Sequence, residues 1–192
     1  MNFLGHSYFN GCSSLFLVGN VCGDFYKGLP EKLELPSEMI EGVKFHRRLD
    51  SITDSTSSVA KAKLQLLKYG RYSGIIVDIF YDHFLATNWN KLHDLPLEIY
   101  SKKVYKDITD AYQYIPLKSR IAIDRMIEED WFSSYKDLDF LYKTLKRVSS
   151  RISKENNIED SIYDLKENYD FFKRNFFEFW SEINKNKNKN RV

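Results

Sequence analysis

The spacing of apolar side chains constrains this chain most. In Leu15, Phe16, Val18, Val21 and Phe25, in Met39, Ile40, Val43 and Leu49, and in Ile75, Ile76, Ile79, Phe80 and Phe84 they recur every three or four residues. That is the period of a helix face; a half-buried strand would alternate instead. Only four prolines and eight glycines interrupt 192 residues. The pattern therefore predicts an all-α protein, a single-domain helical bundle of seven or eight helices over residues 1–184. Residues 185–192 are expected to form a disordered basic Lys/Asn tail. With 43% hydrophobic and 29% charged residues, the chain can bury a full core and does not read as intrinsically disordered.

Helix-end signals divide the bundle. Ser13 or Ser14 caps a helix closed by Gly28 and Pro30, and Ser37 caps the next. Further helices are expected over 59–69, 73–89, 97–114, 116–131, 137–152 and 158–184. The helix at 73–89 is the most apolar and is predicted to be central to the core.

Charge narrows the function classes. The net charge is +2, but Lys185, Lys187, Lys189 and Arg191 all lie in the tail, leaving 25 basic against 27 acidic residues before it. A general nucleic-acid binder would carry a basic excess within the domain. No run approaches the ~18 apolar residues of a membrane span, and no leader-like segment opens the chain, so no membrane partner and a cytoplasmic protein are expected. Cys12 and Cys22 offer no zinc spacing and are expected to be buried, reduced thiols.

Chemistry is concentrated in His46-Arg47-Arg48-Leu49-Asp50. On a helix His46 and Asp50 share a face with their Cα atoms ~6 Å apart along the axis. Asp78-Ile79-Phe80-Tyr81-Asp82-His83-Phe84 repeats the theme, with Asp78 and Asp82 on one face and His83 beside it. Asn20 and Asp24 stand one turn apart on the first long helix. A lone histidine or acid of this kind is usually a satisfied core or surface residue. However, Asp24, His46, Asp50, Asp78, Asp82 and His83 all adjoin apolar positions, where an isolated charge is costly. Mixed imidazole and carboxylate donors suit Mn²⁺, Fe²⁺ or Zn²⁺, and helical bundles build such sites between facing helices. Arg47 and Arg48 beside a cation suit a phosphate group, which suggests phosphoryl-ester hydrolysis. The plainer alternative for each arginine is a surface pair with Asp50 or Asp54.

Asn2-Phe3-Leu4-Gly5-His6, Gly19-Asn20 with Asp24-Phe25, His46-Arg47-Arg48-Leu49-Asp50 with Thr53-Asp54, Asp82-His83-Phe84, and Asp130-Trp131 together resemble the signatures of the acyl carrier protein phosphodiesterases, also called acyl carrier protein hydrolyases. The likeness runs from the N-terminus to about Trp180. It implies removal of 4'-phosphopantetheine from a serine of holo-acyl carrier protein, Mn²⁺ or Mg²⁺ as cofactor, and a variant of the all-helical HD phosphohydrolase fold. The dyad here is Asp82-His83 in place of His-Asp, so a ligand set cannot be transferred mechanically, and Gly5 and Gly23 stand where the family often has alanine. On this resemblance Asp24, His46, Asp82 and His83 form most of the metal shell, with Asp50 and Asp78 as further ligands or orienters. His6 would protonate the leaving serine oxygen or position water, and Arg47 and Arg48 would hold the phosphodiester. An acidic protein substrate calls for a local basic surface, for which Lys44, Arg47, Arg48, Lys61, Lys63, Lys68 and Arg71 are the candidates. Two other readings share the same residues: a metal phosphohydrolase acting on a nucleotide, and a helical interaction protein whose polar cluster is a buried ion network.

Overall fold

The computed structural model describes residues 2–9, 11 and 13–190, the side chains of 186–190 excepted. Among these residues there are twelve α-helices and no strand. They are α1 Phe3–Tyr8, α2 Ser14–Val21, α3 Ser37–Asp54, α4 Ser57–Gln65, α5 Ser73–Thr87, α6 Trp89–Leu92, α7 Leu97–Asp110, α8 Leu117–Glu128, α9 Trp131–Ser134, α10 Leu138–Ser150, α11 Ser161–Glu167 and α12 Tyr169–Asn190. The eight expected helices correspond to α2, α3, α4, α5, α7, α8, α10 and α12.

Two of the four additional helices, α9 and α11, arise where a predicted helix breaks. At Asp130 φ is +41°, a left-handed conformation that a short polar side chain tolerates. Its carboxylate accepts hydrogen bonds from the Tyr105 hydroxyl at 3.0 Å and the Ser133 N–H at 3.4 Å, separating α9 from α8. At Asn168 the side chain donates to the Asp164 carbonyl at 3.2 Å, and α11 ends there. Helix α2 stops at Val21, not near Gly28, and the chain turns through a 3₁₀ segment, Gly23–Phe25.

The helices form two compact units interleaved in sequence, one from the described residues of 2, 51–87 and 135–190, the other from those of 3–50 and 88–134. In the first, α5 packs on α4, α10 and α12 and buries Ile76, Ile79, Phe80 and Phe84, as its apolar pattern predicts. Fully burying each such side chain contributes roughly 1.5–3 kcal/mol. Phe80 meets Phe172 edge-on at 5.1 Å, and the Tyr81 ring lies 4.5 Å from that of Phe179. The Tyr81 hydroxyl donates to Asn175 Oδ1 at 2.6 Å, and Asn175 Nδ2 donates to the Ser58 carbonyl at 3.0 Å. This buried chain of polar bonds ties α12 to α5 and α4 while leaving none of its amide atoms unpartnered.

In the second unit α2 is capped by Ser13, whose Oγ accepts the Phe16 N–H at 3.1 Å, and packs on α1 and α7. It crosses α3 at two glycines. A Cβ on Gly19 would stand 2.2 Å from the Met39 carbonyl oxygen, and one on Gly42 2.2 Å from that of Phe16. Any other residue at either position would force the two backbones apart.

The tail expectation falls on residues only partly described: α12 runs to Asn190, while the side chains of 186–190 and all of residues 191 and 192 lie outside the described set. Cys22 is a buried free thiol whose pKa burial pushes up to about 12, and Cys12 lies outside the described residues. No helix among the described residues is long and apolar enough to cross a membrane. Most of the supposed basic surface is already paired. Lys44 contacts Glu41, Lys61 contacts Glu178, Lys63 contacts Asp54 and Lys68 contacts Asp164, all at 2.7–3.0 Å.

Candidate metal centre

The glycine crossing determines where the polar residues of the second unit go. Because α2 and α3 approach so closely, the Asn20 carbonyl, in the last turn of α2 where helix carbonyls lack helical partners, accepts the Nδ1–H of His46 at 2.7 Å. Gly23, just beyond, makes room for the ring: a Cβ there would lie 2.3 Å from the imidazole. The chain turns past Gly23 and brings Asp24 Oδ1 to 3.3 Å from His46 Nε2. One turn along α3, Asp50 places Oδ2 at 3.2 Å from the same nitrogen, the contact the four-residue spacing predicts. His6, on α1, stacks on His46 at 3.9 Å and points its Nε2 at Asp50 Oδ1, 3.0 Å away.

His6 Nε2, His46 Nε2 and a carboxylate oxygen of Asp50 thus fall within 4.8 Å of one another, the group of described residues placed to hold a metal ion. The hydrogen bonds fix what these atoms offer. His6 Nδ1 faces Asn20 Oδ1 at 3.1 Å. Both donors of the Asn20 amide are committed, to the His6 and Phe9 carbonyls at 2.7 Å each, so Oδ1 can only accept and His6 Nδ1 carries the hydrogen. In the neutral ring Nε2 is then a lone pair. It is buried and faces Asp50 Oδ1, an oxygen that carries no proton, because the hydrogen bond from His46, working against desolvation, holds the Asp50 carboxyl far below the usual range. Two lone pairs 3.0 Å apart in a buried site repel unless a cation lies between them. The donor set therefore fits a divalent ion, and each imidazole donates its other N–H to a backbone or amide oxygen, as metal-bound histidines do.

The two imidazoles titrate in opposite directions. Burial lowers the pKa of His6 despite the nearby Asp50 carboxylate. Burial also works against the charged form of His46, but hydrogen bonds to Asp24 and Asp50 outweigh it and lift the pKa to about 9. The His46 bond in turn holds the exposed Asp24 carboxyl below its ordinary value. Without an ion the cage keeps a proton on His46 Nε2.

A cleft of about 280 Å³ opens beside the cage, lined by Asp24, Tyr26, Lys27, His46, Arg47 and Asp50 among others. Arg47 is pinned at its edge by donating to the Gly28 and Tyr26 carbonyls at 2.8 and 3.0 Å, two bonds that leave other guanidinium N–H groups available. Arg48 does not line the cleft. It is exposed and lies over the Phe45 ring at 5.9 Å. Lys27, which no spacing in the sequence singled out, reaches the Asp24 carbonyl at 2.8 Å.

Of the residues marked in the sequence, His6, Asp24, His46, Asp50 and Arg47 come together in this unit. Asp78, Asp82 and His83 belong to the other unit. Asp82 and His83 are buried there, with His83 Nδ1 donating to the Tyr135 carbonyl and Nε2 accepting from the Tyr169 hydroxyl, both at 2.8 Å. Both ring nitrogens are thereby used.

The protein family described as acyl carrier protein phosphodiesterase matches residues 1–183 of the chain. The chain belongs to the acyl carrier protein phosphodiesterase family. Relatives within it include the acyl carrier protein phosphodiesterase of Escherichia coli O6:H1, 29% identical over 185 residues, and those of Salmonella newport and Klebsiella pneumoniae, each 30% identical over 185 residues. All three alignments cover 95% of this chain and 95% of the relative. No solved structure matches the chain.

Proposed function

We propose that this member of the family hydrolyses the phosphodiester joining 4'-phosphopantetheine to a serine of holo-acyl carrier protein. Water oxygen bonds to phosphorus, the bond from phosphorus to the serine oxygen breaks, and that oxygen takes a proton, leaving the apo-protein and free 4'-phosphopantetheine. The observation that carries the reading is the convergence of His6 Nε2, His46 Nε2 and Asp50 beside a cleft edged by Arg47 and Lys27, in a chain of this family. These three residues would hold a divalent ion, with Asp24 beside them. Such an ion lowers the pKa of water and neutralises charge on the phosphoryl oxygens. Two nitrogen donors favour Mn²⁺ over Mg²⁺, which prefers oxygen.

Arg47 and Lys27 bind the non-bridging phosphate oxygens, Arg47 with a guanidinium pre-set by its two backbone bonds. His6, expected as a proton donor, is a cage residue in this reading, and His83 holds α5 to Tyr135 and Tyr169. Asp82 as a metal ligand and Asp78 as a further ligand or orienter remain proposals, to be tested by the turnover and Mn²⁺ affinity of Asp82→Asn. The HD-like classification and a cytoplasmic location belong to the same proposal.

The test is incubation with holo-acyl carrier protein and Mn²⁺, followed by intact-protein mass measurement. Conversion to the apo mass supports the reading. An unchanged holo mass, with turnover of a nucleotide panel, would assign the cage to another phosphoester.

A further inference from the structure

We infer that Asn20 is the positioning residue of the cage: one side chain and its own carbonyl together select the tautomer of both imidazoles, so that both Nε2 atoms face Asp50. This rests on the metal-dependent reading above and concerns a residue that touches neither ion nor substrate. Asn20 is fully buried. Its amide cannot flip, because Nδ2 donates to the His6 and Phe9 carbonyls at 2.7 Å, and a flipped amide would set oxygen against both. Oδ1 therefore accepts from His6 Nδ1 at 3.1 Å, and the backbone oxygen accepts from His46 Nδ1 at 2.7 Å.

An imidazole free of such partners exchanges its proton between the two nitrogens, and a ring protonated on Nε2 has no lone pair for a cation there. The carbonyl partner of His46 survives any side-chain replacement at position 20. The partner of His6 does not. Substitutions at Asn20 should therefore uncouple the two rings, an asymmetry that a purely structural role does not produce.

The experiment uses the full chain labelled with ¹⁵N in its histidines, without divalent ions, at pH 8. NMR reads which ring nitrogen of His6 bears hydrogen, and Mn²⁺ affinity is measured separately by EPR titration, neither needing a carrier protein. In the unsubstituted protein His6 is expected with hydrogen on Nδ1. In Asn20→Ala the hydrogen should shift to Nε2, toward the Asp50 carboxylate 3.0 Å away, with Mn²⁺ affinity falling about 10–100-fold, as is typical when a residue supporting a metal ligand is lost. Asn20→Asp keeps an acceptor for His6 Nδ1 while losing both amide donations, so it should destabilise the fold yet keep His6 protonated on Nδ1. Hydrogen on Nε2 of His6 in the unsubstituted protein overturns the inference even if neither variant folds. So does Asn20→Ala with an unchanged tautomer and unchanged affinity. A carrier protein left uncleaved while these results hold would sink only the proposed reaction.

Discussion

Divalent-ion binding to the cage should release one proton, and only one, over the neutral range. Without an ion, His46 holds a proton up to about pH 9, whereas burial keeps His6 below its ordinary value and Asp50 is ionised throughout. A cation can take the His46 Nε2 lone pair only by displacing that proton. Between about pH 7 and the His46 pKa, the apparent Mn²⁺ affinity should therefore rise about tenfold per pH unit, or roughly 1.4 kcal/mol per unit, then level off near pH 9. Isothermal titration calorimetry at pH 7.5 in two buffers of different ionisation enthalpy reads the proton count directly. His46→Gln should bind Mn²⁺ weakly and release none. Affinity that stayed flat from pH 7 to 9 with no buffer dependence would falsify the cage as described, and a count of two would mean that His6 is not held neutral.

Other expectations follow from the same geometry. In the ion-free protein the folded pKa of His46 lies above its unfolded value of about 6.5, so its contribution, up to about 3 kcal/mol, is fully present below pH 6.5 and lost as pH rises through about 9; denaturant midpoints that do not fall over that window contradict it. Gly42→Ala should destabilise by at least about 1–3 kcal/mol through overpacking at the α2–α3 crossing and weaken Mn²⁺ binding by moving the Asn20 carbonyl; a fully stable variant would show that the crossing can relax. Arg47→Ala should lower hydrolysis about 10–100-fold, the loss of a charge-assisted hydrogen bond, and Arg48→Ala should change it less than about twofold on the same scale. Equal losses in a turnover assay would mean that the cleft edge has been misassigned. Tyr169→Phe strips His83 Nε2 of its donor and should cost about 1–3 kcal/mol in unfolding free energy without changing Mn²⁺ affinity.

The helical periodicity in the sequence was enough to establish the all-α class and eight of the helices, because the three-and-four recurrence of Ile76, Ile79, Phe80 and Phe84 is a local property that tertiary contacts only confirm. The same periodicity put His46 and Asp50 on one face, four residues apart, and their 3.2 Å contact follows from helix geometry. Helix breaks were harder to read. Asp130 takes its left-handed conformation because Tyr105 and the Ser133 amide satisfy its carboxylate, and one of those partners is 25 residues away. What only the tertiary structure decided is which scattered polar residues meet. His6 enters the cage, and Arg47, not Arg48, edges the cleft, because α2 and α3 touch backbone to backbone at Gly19 and Gly42. That contact depends on two absent side chains, so no local pattern of polarity announces it, and the tautomers of two distant histidines depend on it through a single asparagine.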